Sequence, residues 1–202
     1  MEAIRRPAGG AHAILRVGFN ARPAARVARD LLGQLVVTER SGRRTAGVIV
    51  ETEAYTGPED PASHAAASIG RTPRNDPLFG PPGSAYFHMN YGVHWLLNVV
   101  TGPEGLPAGV LIRALEPVVG EQLMRRRRGR GELTNGPGRL VEALGVGPEL
   151  QRHPLDRPPL WLARGTRVPD ESVIRTTRIG VSKGSHLPLR FYDSRSRWVS
   201  RR

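Results

Sequence analysis

From residue 34 to residue 115 the chain is a series of short apolar runs broken by turn residues. Gln34–Thr38 and Thr45–Tyr55 flank the turn Glu39-Arg40-Ser41-Gly42, so they read as a hairpin. Ala85–Met89 and Val93–Val100 flank Asn90-Tyr91-Gly92 and read as a second hairpin. Gly109–Leu115 reads as a further strand. Tight turns join antiparallel strands, whereas parallel strands need long crossovers, usually helical. A regular strand–helix–strand alternation is missing here. The pattern predicts one α+β domain built on an antiparallel sheet.

Helices are interspersed. Asn20-Ala21 opens one with Pro23 in its first turn; Ala24, Val27, Ala28, Leu31 and Leu32 follow helical spacing, and Gly33 stops it. Pro117–Arg127 reads as a second helix, ending in the run Arg125–Arg128, a solvated helix end. Pro137–Leu144 reads as a third, with Gly145 as its stop. Five prolines between 148 and 170 predict irregular chain until a strand at Leu189–Tyr192. Residues 1–18 read as a loose N-terminal arm before a single domain over 19–202. The 56–83 segment is long for a connection inside a compact domain, and such loops are often functional.

With no cysteine among 202 residues, a disulfide scaffold, thiolate metal ligands and a cysteine nucleophile are excluded, and a reducing cytosol is expected. No run approaches the ~18 apolar residues of a membrane span, and the N-terminus lacks a signal-peptide apolar stretch. The formal net charge is +12, concentrated in the second half: residues 1–100 hold 11 basic and 8 acidic residues, residues 101–202 hold 19 and 10. Such a surplus points to a polyanionic partner. Lys183 is the single lysine.

The chemistry concentrates in VETEAY, residues 50–55. Alternate strand residues share a face, so Glu51, Glu53 and Tyr55 point one way. Taken alone, two carboxylates on one face suggest a solvated surface. Tyr55 and the adjoining Gly-Pro loop point instead to a lined pocket, where a carboxylate can act as a general base. Tyr86 and His88 share a face of the next strand, and Asn98 lies on the returning one, offering flat surfaces plus an amide. Tyr91 sits at a polar hairpin tip with little core to fill; an exposed ring there can fold back on a strand or wedge into a nucleic-acid stack. His64 has no second histidine at metal spacing, so zinc is not expected.

VETEAYTGPEDPASHA, RTPRNDPLFGPPGSAY, NYGVHWLLNVV, VLIRALEP and GPGRL occur in one order. Together they resemble the alkyladenine, or methylpurine, DNA glycosylase family, from about residue 19 to the C-terminus. The resemblance implies a single domain with a curved antiparallel sheet, surrounding helices and a protruding hairpin. It implies a monomeric, cytoplasmic, monofunctional enzyme that needs no cofactor. That enzyme flips a damaged purine out of double-stranded DNA and hydrolyses its N-glycosidic bond. On that likeness Glu53 is the base that activates water, and Arg113 lies beside the water and the flipped nucleotide. Tyr55, His64 and His88 enclose the base, Asn98 disfavours normal guanine, and Tyr91 fills the vacated stack; Tyr86 is added to the base-holding set from its strand face beside His88.

The family usually has tyrosine where this chain has His88, which bears on the lesion spectrum. Glu51 takes no role from the family. Two other readings stay open from residues alone: a non-catalytic module binding damaged DNA, and a basic RNA-associated protein.

Overall fold

The computed structural model describes residues 13–63, 70–129 and 131–202. Its first helix, α1 (Ala24–Leu31), starts after Pro23 and buries Ala24, Val27, Ala28 and Leu31, the residues whose spacing predicts a helix. Five strands follow: β1 (Leu35–Arg40), β2 (Arg43–Tyr55), β3 (Ala85–Asn90), β4 (His94–Thr101) and β5 (Ala108–Val119). Two short helices, α2 (Glu121–Arg128) and α3 (Pro137–Leu144), precede β6 (Asp156–Arg157), β7 (Leu160–Ala163), β8 (Val173–Thr176) and β9 (Arg190–Asp193).

All nine strands pair antiparallel in one sheet, ordered β3-β4-β5-β2-β1-β7-β6, with β8 on β9 and β9 on β2. The sheet curls into a half-barrel. This is the single α+β domain with a curved antiparallel sheet that the sequence predicts. β1–β2 and β3–β4 are the expected antiparallel neighbours.

β2 organises the molecule. One edge pairs with β5 along its length. The other edge is shared: residues 43–48 pair with β1, and Glu51–Glu53 pair with β9. The β2–β5 register shifts once between Ala46 and Gly47, and from Gly47 to Tyr55 it is the same at both ends but irregular in the middle, where Val50 and Arg113 are skipped. Bulges of this kind bend strands and re-aim side chains beside active sites. Here the consequence is a change of face. Before the irregularity Ile49 and Leu115 join the main core under α1 and α3, while Ala46 packs in a smaller cluster with Leu35, Val37 and Trp161. After it Ala54, Val110 and Ile112 take the core side. Glu51, Glu53 and Tyr55, with Leu111 and Arg113, are thereby turned to the opposite face.

Three expectations need correction. Pro117 does not open a helix; Pro117–Val119 extend β5 along Gly47 and Ala46, and the helix begins at Glu121. Gly120 separates the two elements with φ +71°, and a Cβ there would meet the Arg44 carbonyl oxygen at 2.5 Å. The stretch expected to be irregular after residue 148 contains β6, β7 and β8. β7 is only four residues and buried on both faces, so it shows no alternation. The arginine run is not simply a solvated helix end. Arg125 pairs with Glu121, Arg128 pairs with Glu142, and Arg127 donates to the Ala143 and Leu144 carbonyls at the end of α3. Of the expected arm, Ala13–Leu15 lie along β7, with Ile14 opposite Ala163.

Candidate active site

The face opposite the main core is built by register. Glu53 and Tyr55 stand beside Leu111 and Gly109 of β5; Leu111 stands beside Asn98 of β4, and Asn98 beside Tyr86 of β3. This face floors a cavity of about 510 Å³, roofed by residues 179–182 and by Ala62 and Ser63. Tyr55, Tyr86, His88, Tyr91, Asn98 and Arg113, six residues singled out in the sequence, all line it. His64 lies outside the described residues.

Glu53 is fully buried just beneath the floor. Three groups that line the cavity hold its carboxylate. The Tyr55 hydroxyl donates to Oε2 at 3.1 Å, the Ile179 main-chain N–H donates to Oε1 at 2.7 Å, and Arg113 Nη1 lies 3.2 Å from Oε2. Burial pushes the Glu53 carboxyl above its ordinary pKa; Arg113 and the two hydrogen bonds oppose this without cancelling it. A carboxylate of raised basicity, still ionisable and next to a cavity, is what a general base requires. Burial also pushes the Tyr55 phenol up, so it stays a neutral donor.

Glu51 is equally buried, against the solvated-face reading. It accepts from Arg113 Nε at 3.1 Å, Arg190 Nε at 2.7 Å, and the Ser200 amide and hydroxyl at 2.6 and 3.0 Å. Arg113 thus bridges the two carboxylates. Two anions and two cations make a balanced buried cluster, the condition under which buried charge is tolerated.

A second buried ion pair clamps the cavity's side. Asp60 accepts from both terminal nitrogens of Arg178, at 2.5 and 2.7 Å, and both side chains are inaccessible. Burial pushes the Asp60 carboxyl up, but the Arg178 hydrogen bonds and the Ala62 and Thr56 amides outweigh it and hold its pKa below the ordinary value. The Arg178 guanidinium also lies 4.8 Å from the centroid of the Tyr55 ring. The pair ties the loop after β2 to the segment that delivers the Ile179 amide.

Asn98 donates through Nδ2 to the Tyr86 and Leu96 carbonyls, at 3.2 and 3.3 Å, which fixes the amide and leaves Oδ1 as its unengaged end. Tyr86 packs with Leu78 and Val100, and its hydroxyl lies 3.3 Å from His88 Nδ1.

The hairpin tip is the opposite extreme. Tyr91 is 88 % exposed and Val93 70 %. Tyr91 adopts φ +50° and Gly92 follows at +70°. Left-handed backbone is a genuine outlier for a bulky residue, and such strain clusters at functional positions. The ring has not folded back onto the core.

A family profile described as Methylpurine-DNA glycosylase (MPG) matches residues 18–197. The chain belongs to this family. Its relatives include a protein of Salinibacter ruber, 49 % identical, with 92 % of this chain and 96 % of that one aligned. A Methanoculleus marisnigri protein is 47 % identical over 93 % of this chain and 99 % of its own. One from Rubrobacter xylanophilus is 52 % identical over 80 % and 84 %. All three carry the provisional name 3-methyladenine DNA glycosylase.

In this member of the family, sequence reasoning missed Asp60, Arg178, Ile179, Arg190 and Ser200. Asp60 sits inside a quoted motif, but its partner is 118 residues away and no local spacing announces it. The Glu53 partner Ile179 contributes a main-chain amide, which no side-chain pattern encodes.

Proposed function

We propose that this chain removes alkylated or deaminated purines from double-stranded DNA by hydrolysing the bond between base and sugar. The observation that carries the proposal is Glu53, a buried and basic carboxylate whose three partners all line a cavity large enough for a nucleobase. The family and the names of the relatives support the same reading.

A base inside a duplex cannot reach such a cavity, so the nucleotide must swing out, at a cost of a few kcal/mol that is least for damaged or mispaired bases. Tyr91, exposed and already strained, occupies the gap left in the stack. Tyr55, Tyr86 and His88 hold the swung-out base between rings, and Asn98 presents Oδ1 to its edge. Breaking the glycosidic bond builds positive charge on the sugar. Glu53 stabilises that charge and takes the proton of the attacking water, the division of labour seen when carboxylates cleave glycosides. A purine carrying a positive ring leaves unaided; neutral lesions need their leaving nitrogen protonated. Arg113 steadies the water and the sugar-phosphate beside it. A second hollow of about 520 Å³ adjoins the cavity and carries Arg128, Arg139 and Arg201, which suits the flanking phosphates.

The test is a duplex with one hypoxanthine and a second with one 3-methyladenine, each incubated with the protein and then treated with alkali. The expected result is strand cleavage at the lesion that depends on alkali, because no lysine lies in the motif to cleave the abasic site through a Schiff base. Intact strands in both duplexes would overturn the activity. Tight lesion binding without cleavage would favour the non-catalytic module.

A further inference from the structure

The two carboxylates compete for one guanidinium. Arg113 has five N–H donors in a fixed fork, and a lone carboxylate facing it would be gripped through two parallel hydrogen bonds. Glu53 does not receive that grip. Arg113 turns Nε to Glu51 and reaches Glu53 through Nη1 alone. Glu51 is anchored from the far side by Arg190, the Ser200 amide and the Ser200 hydroxyl, so it cannot swing towards Glu53 itself. The skipped pair at Val50 and Arg113 sets the arrangement, because it turns Arg113 to the same face as both glutamates.

We propose that Glu51 is a positioning residue: by holding the Nε edge of Arg113 it aims that side chain at the cavity and keeps Glu53 from being neutralised by a two-pronged ion pair. The inference rests on Glu53 being the base, and it explains a buried carboxylate that the reaction itself does not use. A Glu53 gripped at both oxygens would be a poorer base, since an opposite charge favours the ionised form. The groups facing Glu53 are few: Tyr55 and Glu51 on β2, Arg113 on β5, Arg190 opposite it on β9, and Arg178 with the Ile179 amide from the segment above, Arg178 itself being paired to Asp60.

The arrangement makes opposite demands on two neighbours. Glu51→Gln releases Arg113 to Glu53 and removes a like charge, so Glu53 should titrate lower, by roughly one to two pH units. Arg190→Gln leaves Arg113 as the one cation on Glu51, beside the Ser200 amide and hydroxyl, which draws the guanidinium away, so Glu53 should titrate higher. Ser200→Ala removes one anchor of Glu51 without changing any charge and should give a smaller rise. A merely structural role would move every variant the same way, or none.

The experiment is a carbon-13 titration of carboxyl-labelled glutamate in the full chain, with Glu53→Gln used to assign the Glu53 signal, alongside single-turnover excision from pH 5 to 9. The expected result is a midpoint that falls in Glu51→Gln and rises in Arg190→Gln and Ser200→Ala, with the acid limb of the excision profile moving in step. Unchanged midpoints, or midpoints that shift together, would overturn the proposal. Should Glu51→Gln not fold, Ser200→Ala decides alone: a rise supports the role of Glu51 and an unmoved midpoint rejects it. Wild-type protein that shows these shifts among its variants but excises nothing would overturn the glycosylase reading and leave the coupling intact.

Discussion

The floor of the cavity and the tip of the β3–β4 hairpin belong to one face of one sheet, yet they are held in opposite ways. At the floor each buried carboxylate is answered. Glu53 has two donors and the Arg113 guanidinium beside it, Glu51 has four contacts from three residues, and Asp60 and Arg178 lock two loops together. At the tip the Tyr91 and Val93 side chains stand largely in solvent, and the backbone is held in a strained conformation. The floor is prepared for chemistry that tolerates no misplacement, and its geometry is complete before any ligand arrives. On the function proposed above, the tip gains its partner from the duplex.

The sharpest way to break the comparison is Glu53→Gln. Excision of neutral lesions should fall by ~10²–10⁴, the range for a general base, while lesion binding persists; single-turnover rates near wild type would remove Glu53 from the mechanism. The same variant has a signature in stability. The folded state raises the Glu53 pKa. Its contribution is therefore favourable below the ordinary glutamate pKa and is lost as pH rises through the raised value. Glutamine carries no such penalty, so the melting temperature of the variant relative to wild type should climb across that window.

Asp60→Asn comes next. It removes the counter-charge of Arg178 and leaves a buried cation held by the Ala54 carbonyl, the Tyr55 ring and a single neutral amide oxygen. Breaking a buried pair costs about 3–5 kcal/mol, which in a domain of this size lowers melting by on the order of 10 °C. Wild-type melting in this variant would show that the clamp contributes nothing. Tyr91→Ala tests the other region. Lesion binding should weaken roughly ten- to a hundredfold, from stacking worth ~1–3 kcal/mol, with melting unchanged because the ring buries nothing. A lower melting temperature with unaltered affinity would make the tip a packing element after all. The smallest effect belongs to His88→Tyr, which restores the residue usual in the family. Binding of a lesion should tighten by less than about fivefold, since only part of one stacking surface is gained; a loss of binding would show that the imidazole is used for more than its area.

Legibility in the sequence follows the same division. β1 to β5 were readable because alternation and turn residues are local signals, and Tyr91 was readable because a large ring between Asn90 and Gly92 is locally odd. The shared face of Glu51, Glu53 and Tyr55 follows from the period of two. Its burial does not, because the groups that cover it are remote. Ile179 lies 126 residues from Glu53, Arg190 139 from Glu51, and Ser200 149 from Glu51. β7 and β8 escaped notice for a different reason: at four residues each they are too short for a period to show. Pro117 misled because proline suits the first turn of a helix as well as it suits a strand position where no N–H is needed.

The divided edge of β2 has a consequence in time. A ribosome adds about 5–20 residues per second, so the glutamates of β2 leave it on the order of 10 s before Ile179, Arg190 and Ser200 exist. Once β5 has followed, the strand can pair with β1 and β5 and bury its apolar side, but of the cations that hold its acidic side only Arg113 is then present. The last segments to be made are therefore the ones that complete the buried cluster around the two glutamates. A nascent chain of this protein carries Glu53 for most of its synthesis without the Ile179 amide that holds it.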